Sequence, residues 1–226
     1  MIKKVDPSIL EDLATYDSAT VQNAAILVRG YVPAGDDYTG PDLQQYVPGS
    51  AFATVGYAVT SVWAPITQAT KVVADRNVFF DTIAEVGAPV IVVLKDSDPC
   101  ARRGAIIGDG MATIMRALGA VGAVLDGNAR DIPGIAEAGL ALWATGTVPG
   151  HGPFDLLSYG DPVEAAELKI ANGDILVCDQ DGTTRVPVEI AAQVAKACAE
   201  VREKEAAYRA IFTAEDFSPE NWRKSR

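Results

Sequence analysis

Histidine is almost absent from this 226-residue sequence, which contains only His151. A zinc site with two or three histidine ligands therefore cannot form within one chain. A Ser-His-Asp triad would have to use His151, which lies in the glycine- and proline-rich segment TVPGHGPF, and we do not favour it. Any catalytic metal is instead expected to have oxygen ligands, which are typical of magnesium and manganese sites.

Cysteines are also few, and Cys100, Cys178 and Cys198 form no CxxC pair. This spacing argues against a disulfide framework and a thiolate metal site, and it favours a reducing cytoplasm. The sequence lacks an apolar run of the roughly 18 residues that a membrane span needs. The N-terminal segment MIKKVDPSILEDL also lacks the continuous apolar core of a signal peptide. We expect a cytoplasmic protein without a membrane partner.

Basic residues are outnumbered, with 19 Lys and Arg against 30 Asp and Glu and a formal net charge of −11. Without a Lys/Arg-rich run, no segment is suited to bind a phosphodiester backbone, so nucleic acid is not an expected partner. The hydrophobic content of 49% is enough for a substantial core. We find no repeat or clear linker, and we interpret residues 1–226 as a single domain.

Local patterns predict alternating helices and strands. Residues 18–29 have the pattern of a helix capped by Ser18 and ended by Gly30, and a long loop from Tyr31 to Ser50 follows. Strands are predicted for AFATVGYAVTSVW and for VIVVL at 90–94, and a helix is predicted from Asp109 to Gly119. The strand VGAVLD, a turn at GNARD, a short helix ending near Gly139 and the apolar segment LALWAT complete an α/β order with at least partly parallel pairing.

The last third has a different pattern. GDILVCDQDGTTRVPV predicts an antiparallel hairpin with a DG turn, and one long helix is expected over about 188–212. The predicted fold is therefore α/β, a single domain with a mixed, partly parallel sheet and a long C-terminal helix.

The segment from Gly108 to Asp131, GDGMATIMRALGAVGAVLDGNARD, contains the residues best suited to chemistry. Gly108, Asp109 and Gly110 open a helix, whose free N–H groups favour an anion. A helix and a strand later, Arg130 and Asp131 are expected to return to the same end of the sheet. Asp131 is suited to ligate a hard cation, and Arg130 to pair with a carboxylate or an enolate oxygen.

The chain resembles the 4-hydroxy-4-methyl-2-oxoglutarate aldolases and their relatives, the RraA-like proteins. The resemblance covers most of the chain, from DSATVQNA through GDGMAT and DGNARD to GDILVCDQDG. It implies the RraA-like swivelling β/β/α fold and a divalent-metal-dependent lyase, an aldolase or an oxaloacetate-type decarboxylase, that acts on a pyruvate-related 2-oxo acid. The implied cofactor is Mg²⁺ or Mn²⁺, and the implied assembly is a homotrimer or a dimer of trimers.

The resemblance also implies site residues. Asp131 would ligate the metal, Asp109 would hold metal-coordinated water, and Arg130 would contact the substrate. With Gly108 opening the helix, the amides of Gly110, Met111 and Ala112 would receive a carboxylate. A glutamate near the C-terminus would reach a neighbouring subunit's site, for which Glu205 and then Glu203 are the candidates.

One position departs from that pattern. Gly134 stands where aldolases of the family commonly have an acidic residue, and Glu137, one turn further on, is a candidate replacement. Because of this departure, a non-catalytic RraA-like regulatory protein remains an alternative interpretation. A further alternative is an enzyme that catalyses another enolate reaction on a sugar acid.

Simpler interpretations exist for the same residues. Asp131 is also a plausible helix N-cap, with Arg130 as a surface ion-pair partner, and Asp109 is also a plausible first-turn acid. The stretch from Gly108 to Thr113 resembles half of a dinucleotide fingerprint, with Asp126 as the ribose acid, but the third glycine is missing. Asp179 and Asp181 are better interpreted as part of a hairpin turn than as a calcium loop.

Overall fold

The structure is a computed structural model that describes residues 2–49, 51–66, 74–98, 103–152 and 154–224. Ser50, which is the predicted end of the long loop, lies outside these ranges, and so does Cys100. The strands within them are β1 (Gln44–Val47), β2 (Thr54–Pro65), β3 (Val90–Asp96), β4 (Ala105–Ile107), β5 (Ala120–Ala129), β6 (Ala141–Thr147), β7 (Phe154–Tyr159), β8 (Val163–Ala165), β9 (Leu168–Ile170), β10 (Ile175–Asp179) and β11 (Gly182–Val186). The helices are α1 (Pro7–Leu13), α2 (Ser18–Arg29), α3 (Arg76–Val86), α4 (Asp109–Ala117), α5 (Ile132–Glu137), α6 (Ala191–Thr213) and α7 (Pro219–Lys224), with a 3₁₀ turn at Ala34–Asp36.

The main sheet is mixed and has a parallel centre. Its order is β1-β6-β5-β3-β2-β10-β11, with β4 beside β5 and β7 beside β2. Strands β2, β3, β5 and β6 pair in parallel, whereas β1, β7, β10 and β11 pair antiparallel. This arrangement confirms the predicted α/β fold with partly parallel pairing and the predicted hairpin of β10 and β11.

Strand β3 lies at the centre and contributes to both faces of the sheet. Val90, Val92 and Leu94 pack into the core under the helices, and Ile91 and Val93 pack into a second core with the β8–β9 hairpin. Successive side chains in a strand point to opposite faces, so a strand that is covered on both sides must be apolar throughout. VIVVL is apolar without interruption because both faces of β3 are covered.

The long C-terminal helix is confirmed as α6, which begins at Ala191 and ends at Thr213. Its first half packs against the core through Val194, Cys198 and Val201. Within the described part of the chain, no helix is both long enough and apolar enough to cross a membrane.

Three local predictions need correction. The predicted loop from Tyr31 onwards contains the edge strand β1, which pairs with β6 far along the chain. Most of the predicted turn GNARD is strand, because β5 continues through Ala129 to pair with β4 and β6. The N-cap of α2 is Asp17, whose carboxylate accepts from the Thr20 N–H at 2.6 Å, and not Ser18.

Candidate active site

Two short segments meet where β4 and β5 end. The strands run parallel, with Ile107 opposite Ala129, and the Arg130 N–H donates to the Ile107 carbonyl oxygen at 3.0 Å. Because both strands run in the same direction, Gly108 and Arg130 both lie at the C-terminal end of the sheet, as predicted from the sequence. A Cβ atom on Gly108 would lie only 2.9 Å from Asp131 Oδ2 and 3.3 Å from Arg130 Nε. Because residue 108 has no side chain, the side chains of Asp131 and Arg130 can lie this close to its backbone.

Asp131 adopts an unusual backbone conformation. Its φ of 57° and ψ of 39° lie in the left-handed region, which Asp tolerates better than most residues but which still costs free energy. Asp131 occupies the N-cap position of α5, yet its side chain makes no capping hydrogen bond. The carboxylate, whose Oδ2 lies 3.3 Å from Arg130 Nε, is therefore turned toward Gly108 and Arg130 and not toward the helix.

The start of α4 presents backbone N–H groups beside this pair. The Gly110 N–H donates to Asp109 Oδ1 at 2.7 Å, and the Ala112 N–H donates to the Gly108 carbonyl oxygen at 3.0 Å. Met111 stands at the third helical position, where an N–H has no partner within the helix. The Met111 N–H is therefore available to an incoming carboxylate. The Gly110 N–H is available only in competition with Asp109, and the Ala112 N–H is already used within the helix.

Gly108, the first residues of α4 and Arg130 form one wall of a cavity of about 310 Å³, whereas Asp131 and Ala112 do not line it. Its lining includes Asp109, Gly110, Met111 and Arg130, and also two basic residues that the sequence analysis did not assign to the site. They are Arg76, at the start of α3, and His151, in the loop after β6. Positions 76 and 151 are far from the GDG and RD segments in sequence, so no local pattern could have joined them; the one available signal was that His151 is the sole histidine.

Arg76 is held at the cavity by several partners. Its guanidinium lies 5.2 Å from the centroid of the Trp63 ring, donates to the Phe154 carbonyl oxygen, and pairs with Asp155 Oδ1 at 3.2 Å. Stacking on an aromatic face and hydrogen bonds on the planar fork together restrict an arginine's orientation. Arg76 therefore contributes a guanidinium of restricted orientation to the cavity wall, and Asp109 is the one carboxylate among the described residues that line this cavity.

The candidate glutamates lie elsewhere in the chain. Glu205, on α6, accepts from Arg209 at 3.1 Å and lies 3.5 Å from Asn23 Nδ2 of α2. Glu203 is exposed on the same helix, and Glu137 is exposed on α5. None of the three lines the 310 Å³ cavity of its own chain.

The donors near Gly108 fit a hard divalent cation in their chemistry. Asp131 and Asp109 offer carboxylate oxygens, and among the described residues no group of three or more His, Cys, Asp or Glu side chains forms an all-protein metal cage. Magnesium commonly binds through one or two carboxylates and keeps several water molecules. Asp131 would hold such an ion directly, with Asp109 hydrogen-bonded to its hydration water.

A larger cavity of about 720 Å³ lies at the opposite end of the parallel strands. Leu10, Val55, Tyr57 and Pro89 contribute to its largely apolar lining. It contains none of the predicted site residues, so size alone does not make it the site of chemistry.

A family model described as Aldolase/RraA, RraA-like, matches residues 32–185. The chain belongs to the RraA-like family. This family includes aldolases and decarboxylases as well as inhibitors of ribonuclease E-type enzymes. The matched range contains the GDG helix, the Arg130–Asp131 pair and the hairpin of β10 and β11, so the family resemblance inferred from the motifs is confirmed.

Solved structures agree with this fold. An uncharacterized protein from Pseudomonas syringae pv. tomato is 24% identical with a TM-score of 0.75, over 100% of this chain and 97% of that protein. RraAS2 of Streptomyces coelicolor, described as an unusual member of the RNase ES inhibitor RraA family, is 23% identical with a TM-score of 0.74, over 92% and 98%. RraA of Thermus thermophilus, an RNA-processing inhibitor, is 18% identical with a TM-score of 0.54, over 74% and 92%.

Proposed function

We propose that this chain is a divalent-cation-dependent lyase that breaks a carbon–carbon bond of a pyruvate-related 2-oxo acid. Retro-aldol cleavage and decarboxylation of an oxaloacetate-like acid both pass through the same enolate, so both reactions belong to the proposal. The cation is Mg²⁺ or Mn²⁺, because the available donors are carboxylates.

The observation that carries the proposal is the orientation of Asp131. A residue that served only as a helix cap would use its side chain to accept an N–H of α5, and Asp131 does not. Its carboxylate instead approaches Gly108 and Arg130 from a left-handed backbone conformation. Unfavourable backbone conformations of this kind concentrate at functional sites.

The chain's own groups have complementary roles in this reaction. Arg130 pairs with the substrate carboxylate or the enolate oxygen. At the start of α4, the Met111 N–H donates to the other end of the 2-oxo acid head, and the Gly110 N–H does so when it leaves the Asp109 carboxylate. When bound at Asp131, a divalent cation would polarise the 2-oxo carbonyl and stabilise negative charge as the enolate forms. Trp63 and Phe154 add apolar surface to the cavity wall.

The first test measures pyruvate release from oxaloacetate and from 4-hydroxy-4-methyl-2-oxoglutarate, with magnesium or with EDTA. We expect turnover that EDTA abolishes and that Asp131→Ala reduces by at least about 100-fold, since a charge-stabilising group is commonly worth that much. Asp161→Ala, which removes an exposed carboxylate outside the cavity, is the matched control and should retain full activity. Turnover that survives both EDTA and Asp131→Ala would contradict the proposal.

A second candidate is a non-catalytic regulatory protein, because the Streptomyces relative belongs to the RNase ES inhibitor RraA family and the Thermus relative is an RNA-processing inhibitor. A regulator would release no pyruvate from either acid, and it would bind its partner equally well after Asp131→Ala. If both substrates fail, a panel of sugar acids would test the remaining enolate chemistry.

The proposal also covers assembly. We take residues 1–226 as one RraA-like domain that forms a cytoplasmic homotrimer or a dimer of trimers, the assembly common in this family. Glu205 would then reach the site of a neighbouring subunit. Sedimentation analysis tests the assembly, and mixing Glu205→Gln chains with Asp131→Ala chains tests the sharing, because mixed trimers should regain activity at some of their sites.

A further inference from the structure

The 310 Å³ cavity contains very few groups that can take up a proton. Arginine does not serve as a base in proteins, which leaves out Arg76 and Arg130, and apart from Asp109 and His151 the remaining lining is glycine, alanine or large apolar side chains. Among the described residues that line it, Asp109 and His151 are the two proton acceptors. Asp109 already accepts from the Gly110 N–H, and in the proposed function it holds water near the cation.

Backbone pairing holds His151 in this position. His151 forms an isolated parallel bridge with Ala105, and the Ala105 N–H donates to the Gly150 carbonyl oxygen at 3.0 Å. Ala105 begins β4, the strand that leads directly into Gly108 and the amides of α4. The backbone of His151 is therefore paired with the same strand that leads into the carboxylate-binding end of the cavity.

Close packing between two glycines allows this attachment. A Cβ on Gly104 would lie 2.6 Å from Gly152 Cα, and a Cβ on Gly152 would lie 2.2 Å from Phe154 Cε2. A larger residue at position 104 would push the His151 loop away from β4, and a larger residue at position 152 would collide with the Phe154 ring. The imidazole itself is exposed and, within the described ranges, has no hydrogen-bond partner that would engage either ring nitrogen.

We infer that His151 is the general base of a retro-aldol reaction in this cavity, an assignment that rests on the proposed lyase function. The neutral imidazole takes the proton from the hydroxyl on C4 of a 4-hydroxy-2-oxo acid. The O–H electron pair becomes the new C4=O bond, the C3–C4 bond breaks, and its electron pair enters the enolate. The imidazolium then returns its proton to C3, which releases pyruvate and restores the neutral base.

This assignment separates the two reactions that the site would share. Retro-aldol cleavage needs a base because an O–H bond must break. Decarboxylation of oxaloacetate has no such hydroxyl: the electron pair of the bond to the carboxylate enters the enolate directly, and the enolate can take its proton from solvent. His151 is therefore required for one substrate class and not for the other.

The test compares kcat for a 4-hydroxy-2-oxo acid and for oxaloacetate with the full chain and magnesium. His151→Gln should lower retro-aldol kcat by about 100-fold or more, the usual worth of a general base, while decarboxylation stays within about threefold. Glu164→Gln, an exposed residue of β8, should change neither. Added imidazole should restore part of the retro-aldol activity of His151→Ala, which leaves space for it, and none for His151→Gln, which fills that space.

Equal loss on both substrates, loss on neither, or failure of imidazole to rescue His151→Ala would overturn the assignment while leaving the lyase function in place. Decarboxylation without any retro-aldol turnover by the unsubstituted chain would do the same. Failure of the unsubstituted chain on both acids would instead overturn the proposed function, and this assignment with it.

Discussion

Gly134 and Asp109 pack directly against each other: a Cβ on residue 134 would lie 2.7 Å from the Cβ of Asp109 and 3.3 Å from its Oδ2. This contact joins the first turns of α4 and α5, so the residue three positions after Asp131 borders the candidate site. An acidic side chain, common there in related aldolases, would require Asp109 to move. In this chain, glycine at residue 134 and the position of Asp109 depend on each other.

Gly134→Ala should therefore damage the site. The added methyl group displaces Asp109, and we expect destabilisation of about 1–3 kcal/mol, as for other overpacked contacts, with activity reduced at least about tenfold by a misplaced site group. Chemical denaturation and the pyruvate assay measure the two effects. Ala136→Ser, at an exposed position of the same helix, should alter neither, and full activity of Gly134→Ala would contradict the contact.

Magnesium should stabilise the folded chain through Asp131. A ligand that binds only the folded state adds about 2.7 kcal/mol at 100 times its dissociation constant, which urea denaturation with and without magnesium detects. Asp131→Asn should lose this gain. Asn also tolerates the left-handed backbone, so the variant tests the charged ligand and not the loop. Equal stabilisation of Asp131→Asn and the unsubstituted chain would place the ion elsewhere.

Asp17 should make stability sensitive to acid. Partial burial raises its pKa, but the hydrogen bonds from the Thr20 N–H and hydroxyl outweigh it, so the pKa of Asp17 in the folded chain lies below the ordinary 3.8. Because the folded value is depressed, this contribution is present above the ordinary pKa and is lost as pH falls through the folded value.

Denaturation between pH 7 and pH 3 tests this expectation. Asp17→Asn should flatten the acid dependence, and Asp17→Ala should also lose about 1 kcal/mol at pH 7, as for other N-caps. Asp81→Asn, on the exposed face of α3, should retain the original dependence. An unchanged acid profile for Asp17→Asn would show that the cap does not titrate as described.

The buried thiols should be inert in the folded chain. Burial raises the pKa of Cys178 to about 12 and that of Cys198 to about 11. The thiolate is the reactive species, so alkylation at pH 8 should leave both residues unmodified until denaturant is added. Peptide mass spectrometry in a Cys100→Ser background measures this, and rapid native modification of Cys178 would contradict the burial.

Much of the candidate site was predictable because its parts are local. Asp109 opens a helix that is indicated by the three- and four-residue spacing of Met111, Met115 and Leu118. Arg130 and Asp131 are adjacent in the sequence and form a recognisable pair. The expectation that both segments reach one sheet edge followed from strand direction alone. The sequence could not show that the Asp131 carboxylate is turned away from α5, because that depends on the backbone conformation of one residue.

What the sequence determined by itself is the set of elements whose pattern repeats over neighbouring residues: the apolar strand VIVVL, the helix from Asp109, the DG hairpin and the long C-terminal helix. Only the tertiary structure decided that QQYV is an edge strand beside β6. It also decided that the Ser18 hydroxyl donates to Asp179, while Asp17 caps α2. Finally, it decided that Arg76 and His151 line the same cavity as Arg130. The physical reason is range. Periodicity reports contacts one or two turns apart, whereas pairing register and cavity walls depend on residues brought together by the whole sheet.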